Sequence, residues 1–304
     1  MIGYILNMFK GVLIGAANVI PGVSGGTMAL LTGIFERLIN TIKSFDLKAT
    51  KLAFRLRFKE LFAHIDLPFL SAVGIGVIAS ILTFARLLEY LFEHHALYVW
   101  SFFFGLILAS VYFVSKKISR ARLSVVALYI LGTAIAAGIA FLEPAEENAS
   151  TLYLVICGAI AMCSMILPGL SGSYVLLLMG NYELVMIRSV NTFDLGVLIP
   201  VGIGAVAGLA AFARLLSWIF KKFHDQTIAL LSGFIFGSLV ILWPWKDAII
   251  QTFEKGDEIK EKVVGYHYAL PELNAETGIA LGLMVAGIVI IALVETMAEK
   301  IKID

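Results

Sequence analysis

A helix-breaking stretch set inside apolar sequence constrains this chain most, and it occurs twice. Ile20-Pro21-Gly22-Val23-Ser24-Gly25-Gly26-Thr27 returns as Leu167-Pro168-Gly169-Leu170-Ser171-Gly172-Ser173-Tyr174. Proline lacks a backbone donor and keeps the preceding residue out of helix, while glycine tolerates positive φ. Each copy therefore breaks one helix and restarts another. A restarted helix opens with free N–H groups, here backed by Ser, Gly and Thr, and such an end is a natural seat for an anion such as phosphate.

The breaks lie in a membrane chain. Of 304 residues 60% are hydrophobic and 15% charged, against about 25% charged in a soluble domain. Several runs of roughly 20 nearly uncharged residues read as transmembrane helices. In lipid every backbone group must be bonded internally, so the expected fold is all-α. A net charge of +1 supplies no global field for nucleic acid. Lys10 interrupts the first apolar stretch and no small-residue cleavage site follows, so no removable signal peptide is expected. Cys157 and Cys163 lack metal-ligand spacing and nearby His, and read as packing residues. No metal, cofactor or catalytic group is expected.

The expected helices are 3–19, 24–42, 67–92, 97–115, 123–142, 151–166, 173–188, 196–220, 226–243 and 277–297. Segment 43–65 carries Lys48, Lys51, Arg55, Arg57 and Lys59, with Phe54, Phe58, Leu61 and Phe62 at helical spacing. It reads as an amphipathic helix on an anionic leaflet, or as a solvated basic loop. Residues 246–276 read as a long loop. Trp100, Trp218, Trp243 and Trp245 fall near span ends, where interfacial aromatics belong.

The two breaks begin an internal repeat. Pro168, Gly169, Ser171 and Gly172 follow Pro21, Gly22, Ser24 and Gly25 at a constant offset of 147, which also pairs Gly180 with Gly33 and Glu183 with Glu36. Val73-Gly74-Ile75-Gly76 matches Val201-Gly202-Ile203-Gly204 at an offset of 128, as do Phe84–Leu88 with Phe212–Leu216, Gly105 with Gly233 and Ser110 with Ser238. Two ordered blocks imply a duplication, with halves 1–145 and 146–304 in one membrane domain. If each half crosses the bilayer three or five times, an odd number, the second half is inverted. The basic loops agree: with 43–65 cytoplasmic, Lys116–Arg122, Lys221, Lys222, Lys300 and Lys302 are also inside, and Glu143–Glu147 and 246–276 are outside. Inverted repeats with broken helices meeting at the midplane are the architecture of secondary transporters.

The expected substrate contacts are Ser24, Gly25, Gly26, Thr27, Ser171, Gly172 and Ser173, joined by Arg86 and Arg214. These equivalent arginines lie near the ends of long spans, where snorkelling to the interface is the alternative. Glu36 and Glu183 stand 12 residues after their motif serines; they could carry a coupling proton, or pair with Arg37 and Arg188. Asn18 is placed to satisfy backbone groups freed by the first break. Gly-x-Ser-Gly also resembles the nucleophile region of rhomboid intramembrane proteases, but His64, His94, His95, His224 and His267 all fall in or beside expected loops, which argues against a Ser-His pair.

Asn18–Thr27 and Ile166–Ser173 together resemble the bacterial polyprenyl-phosphate transporter (PopT) family, over essentially the whole chain. The resemblance implies a multi-pass protein of the bacterial cytoplasmic membrane, without cofactor, that returns undecaprenyl phosphate to the cytoplasmic leaflet for cell-wall precursor synthesis. The alternatives are a small-anion transporter or channel and a membrane-embedded enzyme acting on lipid phosphates. A coupling ion, proton or sodium, and a homo-oligomer are left open.

Overall fold

The computed structural model describes residues 2–19, 24–120, 122–255 and 258–301. Helices α1 (Ile2–Val19), α2 (Gly25–Leu31), α3 (Phe35–Lys43), α4 (Leu47–Phe54), α5 (Phe58–His64), α6 (Leu67–Ser115) and α7 (Leu123–Ile139) are followed by α8 (Thr151–Ile166) and α9 (Gly172–Leu178). A π-helical turn, Glu183–Arg188, runs into α10 (Ser189–Thr192). Then come α11 (Leu195–Lys222), α12 (His224–Leu242), strands β1 (Lys246–Lys255) and β2 (Glu258–Tyr268), and α13 (Ala275–Ile301). Among the described residues five stretches are long and apolar enough to cross a membrane: 67–84, 90–115, 195–222, 224–242 and 275–293. Their outward faces expose Ile75, Ile78, Leu82, Ile199, Ile203 and Val206, a surface for lipid rather than water. Helix α12 runs through the middle, with Leu231, Ile235 and Leu242 almost fully enclosed.

Glycine sets the contacts between the long helices, because removing Cβ lets backbones touch where no hydrophobic force drives them together. A Cβ on Gly11 would lie 2.2 Å from the Val73 carbonyl oxygen, and one on Gly76 2.0 Å from that of Met8. In the second half a Cβ on Gly158 would lie 2.0 Å from the Val201 oxygen and one on Gly204 1.9 Å from that of Val155. All four positions correspond at offsets of 147 and 128, so α1 on α6 and α8 on α11 are the same contact made twice. A third correspondence appears only in space. Gly105 meets Met284 and Gly287 meets Phe102, while Gly233 meets Tyr129 and Gly132 meets Leu230. This pairs α7 with α13 at an offset of 155 (Gly287 against Gly132, Met284 against Tyr129). Thus α7 packs on α12, and α13 on α6.

Five expectations need correction. The fold is mostly helical, not all-α: residues 246–268 of the expected loop form an antiparallel hairpin with an irregularity between Ile249 and Ile250. Its signal is a β-branched and aromatic run, Ile249–Phe253, joined through Gly256-Asp257 to Val263–Tyr268. The helices expected over 24–42 and 173–188 each stop early, because Gly33 (φ 71°) and Gly180 (φ 74°) adopt left-handed backbone. The amphipathic helix expected over 43–65 is two short helices divided at Leu56 (φ 55°). Asp46 caps α4 and pairs with His64 at 3.2 Å; the Ala49 N–H first, and His64 with it, hold the Asp46 carboxyl below its ordinary range. Phe54 and Leu56 are exposed there beside the basic side chains. The expected gap at 92–97 is a bend at His95 (φ −142°, ψ 38°) within α6.

The repeated Gly-Ile-Gly supplies its own control. Gly74 and Gly202 have open space where a Cβ would go. Gly76→Ala and Gly204→Ala are expected to destabilise by about 1–3 kcal/mol through overpacking. Gly74→Ala and Gly202→Ala should be neutral or gain up to about 1 kcal/mol from helix propensity. Thermal unfolding in detergent checks this, and equal effects within either pair would refute the packing assignment.

Candidate functional site

The two restarted helices are short. Seven residues rise about 10 Å, a third of the ~30 Å hydrocarbon core, so neither α2 nor α9 crosses alone. Residues 20–23, with Pro21 and Gly22, lie outside the described residues; the second break is described throughout, with Gly169 at φ 80°.

The opening turn of α2 lies against the second break. Ser24 Oγ donates to the Leu167 carbonyl at 3.1 Å, and the Gly169 N–H donates to Thr27 Oγ1 at 3.1 Å. Gly26 permits the approach, since a Cβ there would sit 2.5 Å from the Ile166 oxygen. Ser24 is 4% and Thr27 1% exposed, so these bonds answer polar groups that would otherwise be orphaned in an apolar interior.

The two helix starts differ in what remains open. The Gly25 N–H donates to Asn18 Oδ1 at 2.9 Å, Gly26 to Ser24 Oγ at 3.2 Å and Thr27 to the Ser24 carbonyl at 2.9 Å. The free N–H groups expected at the first copy are thus taken. At the second, Ser171 caps no N–H; its hydroxyl meets Ser173 Oγ at 2.9 Å. No protein acceptor faces the N–H groups of Gly172, Ser173 and Tyr174 among the described residues. Position 165, equivalent to 18 at the offset of 147, is methionine. Asn18 covers Gly25 and Met165 covers Gly172 at the same place, but a thioether is a poor acceptor. This difference is readable in the sequence once the offset of 147 is known.

Beside α9 lies a cavity of about 410 Å³ between α8, α9, α11 and the π-helical turn. Asn18, Ser24, Ser171, Gly172 and Ser173 form its polar end. Arg214 is not among its walls: the side chain is exposed, with Nη1 donating to the Ala210 carbonyl at 2.8 Å. The Arg86 side chain lies outside the described residues. Arg37 pairs with Asp66 at 2.8 Å, and Glu36 meets His224 at 3.4 Å. Glu183 meets Arg188 at 3.8 Å, and Arg188 also grips Glu147.

The far ends of α2 and α9 are held by different loops. Lys117 Nζ donates to the Leu30 and Leu31 carbonyls at 2.8 and 3.0 Å, a cation at the negative end of α2. The Leu178 carbonyl of α9 accepts from the Ala145 N–H at 2.8 Å, and Asn181 bonds Asn148 in both directions. The hairpin lies near this loop, where the Tyr268 ring meets that of Phe141 with centroids 6.1 Å apart. Lys246 docks it. The amine lies 3.8 Å from the Trp100 ring and 4.5 Å from that of Tyr266, and donates to the Ile241 carbonyl. Burial pulls the Lys246 amine down to about 7, while ring faces and carbonyl favour the ammonium.

Residues 14–259 match the family described as "VCA0040-like: Undecaprenyl phosphate translocase-like". A Vibrio cholerae serotype O1 (strain ATCC 39315 / El Tor Inaba N16961) protein named "Polyprenyl-phosphate transporter" is 36% identical over 302 residues, covering 98% of each chain. A Staphylococcus aureus (strain NCTC 8325 / PS 47) protein of the same name is 32% identical over 257 residues, covering 79% of this chain and 86% of that one. No solved structure matches.

Two outcomes test this geometry. Thr27→Val strands the buried Gly169 N–H and should cost about 1–3 kcal/mol, while Thr27→Ser keeps the acceptor and most of the stability; denaturation that does not separate the two refutes the bond. Lys246 binds fewer protons folded, near pKa 7, than unfolded, at 10.5, so its contribution to stability rises with pH above 7. Lys246→Met should exceed the wild type most in melting temperature at or below pH 7, and the gap should narrow by pH 9. A gap independent of pH would show that Lys246 is not buried as an amine.

Proposed function

The chain belongs to the VCA0040-like, undecaprenyl phosphate translocase-like family, and we propose that it carries polyprenyl phosphate across the bacterial cytoplasmic membrane. The direction of carriage is toward the cytoplasmic leaflet, and the phosphate docks at the start of α9. The observation that carries this is the unequal pair of helix starts. The second presents N–H groups with no acceptor among the described residues, and two serine hydroxyls, to a cavity with an apolar far end, while its twin is closed by Asn18 and Ser24. Helix N-termini favour anions through those N–H groups and the helix dipole. In this reading Gly172, Ser173 and Ser171 hold the headgroup. Ser24, Gly25, Gly26 and Thr27 hold the second break in shape.

The inverted repeat is part of the same proposal. Loops 116–122 and 143–150 flank α7, whose 17 residues span about 25 Å, so they lie at opposite ends of the bundle. Lys117 from the first holds the C-terminus of α2, and the second holds that of α9. That arrangement supports half-helices pointing in opposite directions with both positive ends at the centre. The basic residues gather at the α2 end: Lys43 reaches Ser217 at 3.5 Å, and Asp225 accepts from the Ser119 and Arg120 N–H groups. This supports a cytoplasmic placement of that end. Alternating access would then open the central site to one leaflet at a time. Arg214 and Arg86 are proposed as phosphate contacts on the inner and outer paths, because a guanidinium grips phosphate through two N–H groups at once. Glu36, beside His224, and Glu183, beside Arg188, lie at opposite ends and are proposed for any coupled proton.

The test is undecaprenyl phosphate translocation in proteoliposomes. Met165→Asn copies the first-half cap onto Gly172 and competes with phosphate for its N–H. One charge-assisted hydrogen bond contributes about 1.5–3 kcal/mol, so binding should fall by roughly tenfold or more. Arg214→Ala should lose most translocation, and Arg214→Lys part of it. Full activity in Met165→Asn would remove α9 as the phosphate seat; full activity in Arg214→Ala would make that arginine a membrane anchor.

A further inference from the structure

The cavity at α9 extends well beyond what a phosphate can use. About 410 Å³ is the size of a small-molecule site, in the range of about 300–1,000 Å³. Away from the serines its walls are Met162, Met165, Val185, Met186, Val201 and Ala205. Met165 and Met186 are half exposed, at 49% and 48%, so the apolar end opens at the lipid-facing surface.

The repeat shows how the lining of this space differs between equivalent positions. Met162 corresponds to Gly15 at the offset of 147, and Ala205 to Val77 at 128. In the first half α1 closes on α6 there: a Cβ on Gly15 would lie 2.6 Å from the Val77 carbonyl oxygen. In the second half Met162 stands where the first has that glycine and Ala205 where it has the valine, and α8 and α11 touch on either side of them, at Gly158 against Val201 and at Gly208 against Ala159. The floor is thus fixed backbone, and three flexible thioethers form the walls. Methionine adapts to irregular, branched apolar shapes.

We propose that this cavity binds the first isoprenoid units of the lipid tail, so that the protein recognises branched prenyl chain as well as phosphate. The inference rests on the reading that phosphate sits at Ser171–Ser173. That polar end is continuous with the apolar one, so a phosphate ester held there directs its own chain between Met162, Met165 and Met186. The remainder of a long tail leaves between Met165 and Met186 into lipid.

The experiment uses the full-length protein in detergent with three ligands: geranyl phosphate, decyl phosphate of equal carbon number, and glycerol phosphate. Decyl phosphate controls for micelle partitioning. Geranyl phosphate should bind at least about tenfold tighter than decyl phosphate, the low end of what the fit of one methylene is worth in an apolar pocket. Glycerol phosphate should bind more weakly than either. Ala205→Phe fills the floor and should erase the preference for geranyl over decyl phosphate; Val206→Phe, on the exposed face of the same helix, should leave it unchanged. Equal binding of the two ten-carbon esters to the unmodified protein overturns the tail subsite while leaving the phosphate reading in place, and needs no variant to fold. If no ester binds and undecaprenyl phosphate is not translocated, the functional reading falls and the subsite with it.

Discussion

A broken helix in a membrane must find partners for the backbone groups that the break sets free, and the rest of this structure follows from how two breaks do so. Water is absent from the hydrocarbon core, and an orphaned N–H or carbonyl there costs several kcal/mol. Here the first helix start supplies side-chain partners to the second break. Ser24 answers the Leu167 carbonyl and Thr27 answers the Gly169 N–H, with Gly26 bringing the backbones close enough to do it. The exchange ties residues 142 and 143 positions apart into one buried unit, which makes the centre of the bundle a single object and not two independent motifs.

That unit has a closed side and an open one. Asn18 and Met165 occupy equivalent places over Gly25 and Gly172, and only the asparagine can accept a hydrogen bond. One helix start is thus satisfied, and the other finds no acceptor among the described residues. Symmetric backbones with asymmetric chemistry suit a carrier that must grip a headgroup firmly enough to draw it from one leaflet and loosely enough to release it to the other. The glycine contacts keep the frame stiff around this point. Each long helix touches its neighbour backbone to backbone, so motion is expected as rigid displacement of helix pairs and not as gradual deformation. The packing of α7 on α12 and of α13 on α6 joins helices distant in sequence into the same bundle.

Much of the plan was legible in the residues. The apolar runs located the long helices, and the Pro-Gly breaks, the two repeat offsets and the basic segments outlined the organisation. Other features were written in the chain but passed over. Gly33 and Gly180 were visible as a repeat pair without being read as helix stops, and Gly256-Asp257 marked a hairpin that the long loop concealed. Asn18 against Met165 needed only the offset of 147. The third repeat block was not legible: α7 and α13 share little beyond Gly132 and Gly287, and only their matched contacts with Leu230 and Phe102 reveal the relation.

By itself the sequence determined that the chain is a multi-pass membrane protein carrying a Pro-Gly motif twice within apolar sequence. These follow from local chemistry: hydropathy over about 20 residues, missing backbone donors, permitted φ values and recurrence at a fixed offset. Tertiary structure alone decided which N–H groups find a side-chain acceptor, that Arg214 stands outside the cavity, and that Met162, Met165 and Met186 line one apolar space. These outcomes depend on what a residue meets from distant parts of the chain. A free N–H at a helix start is a sequence expectation, but whether an amide, a hydroxyl or a thioether covers it is settled only when the two breaks come together.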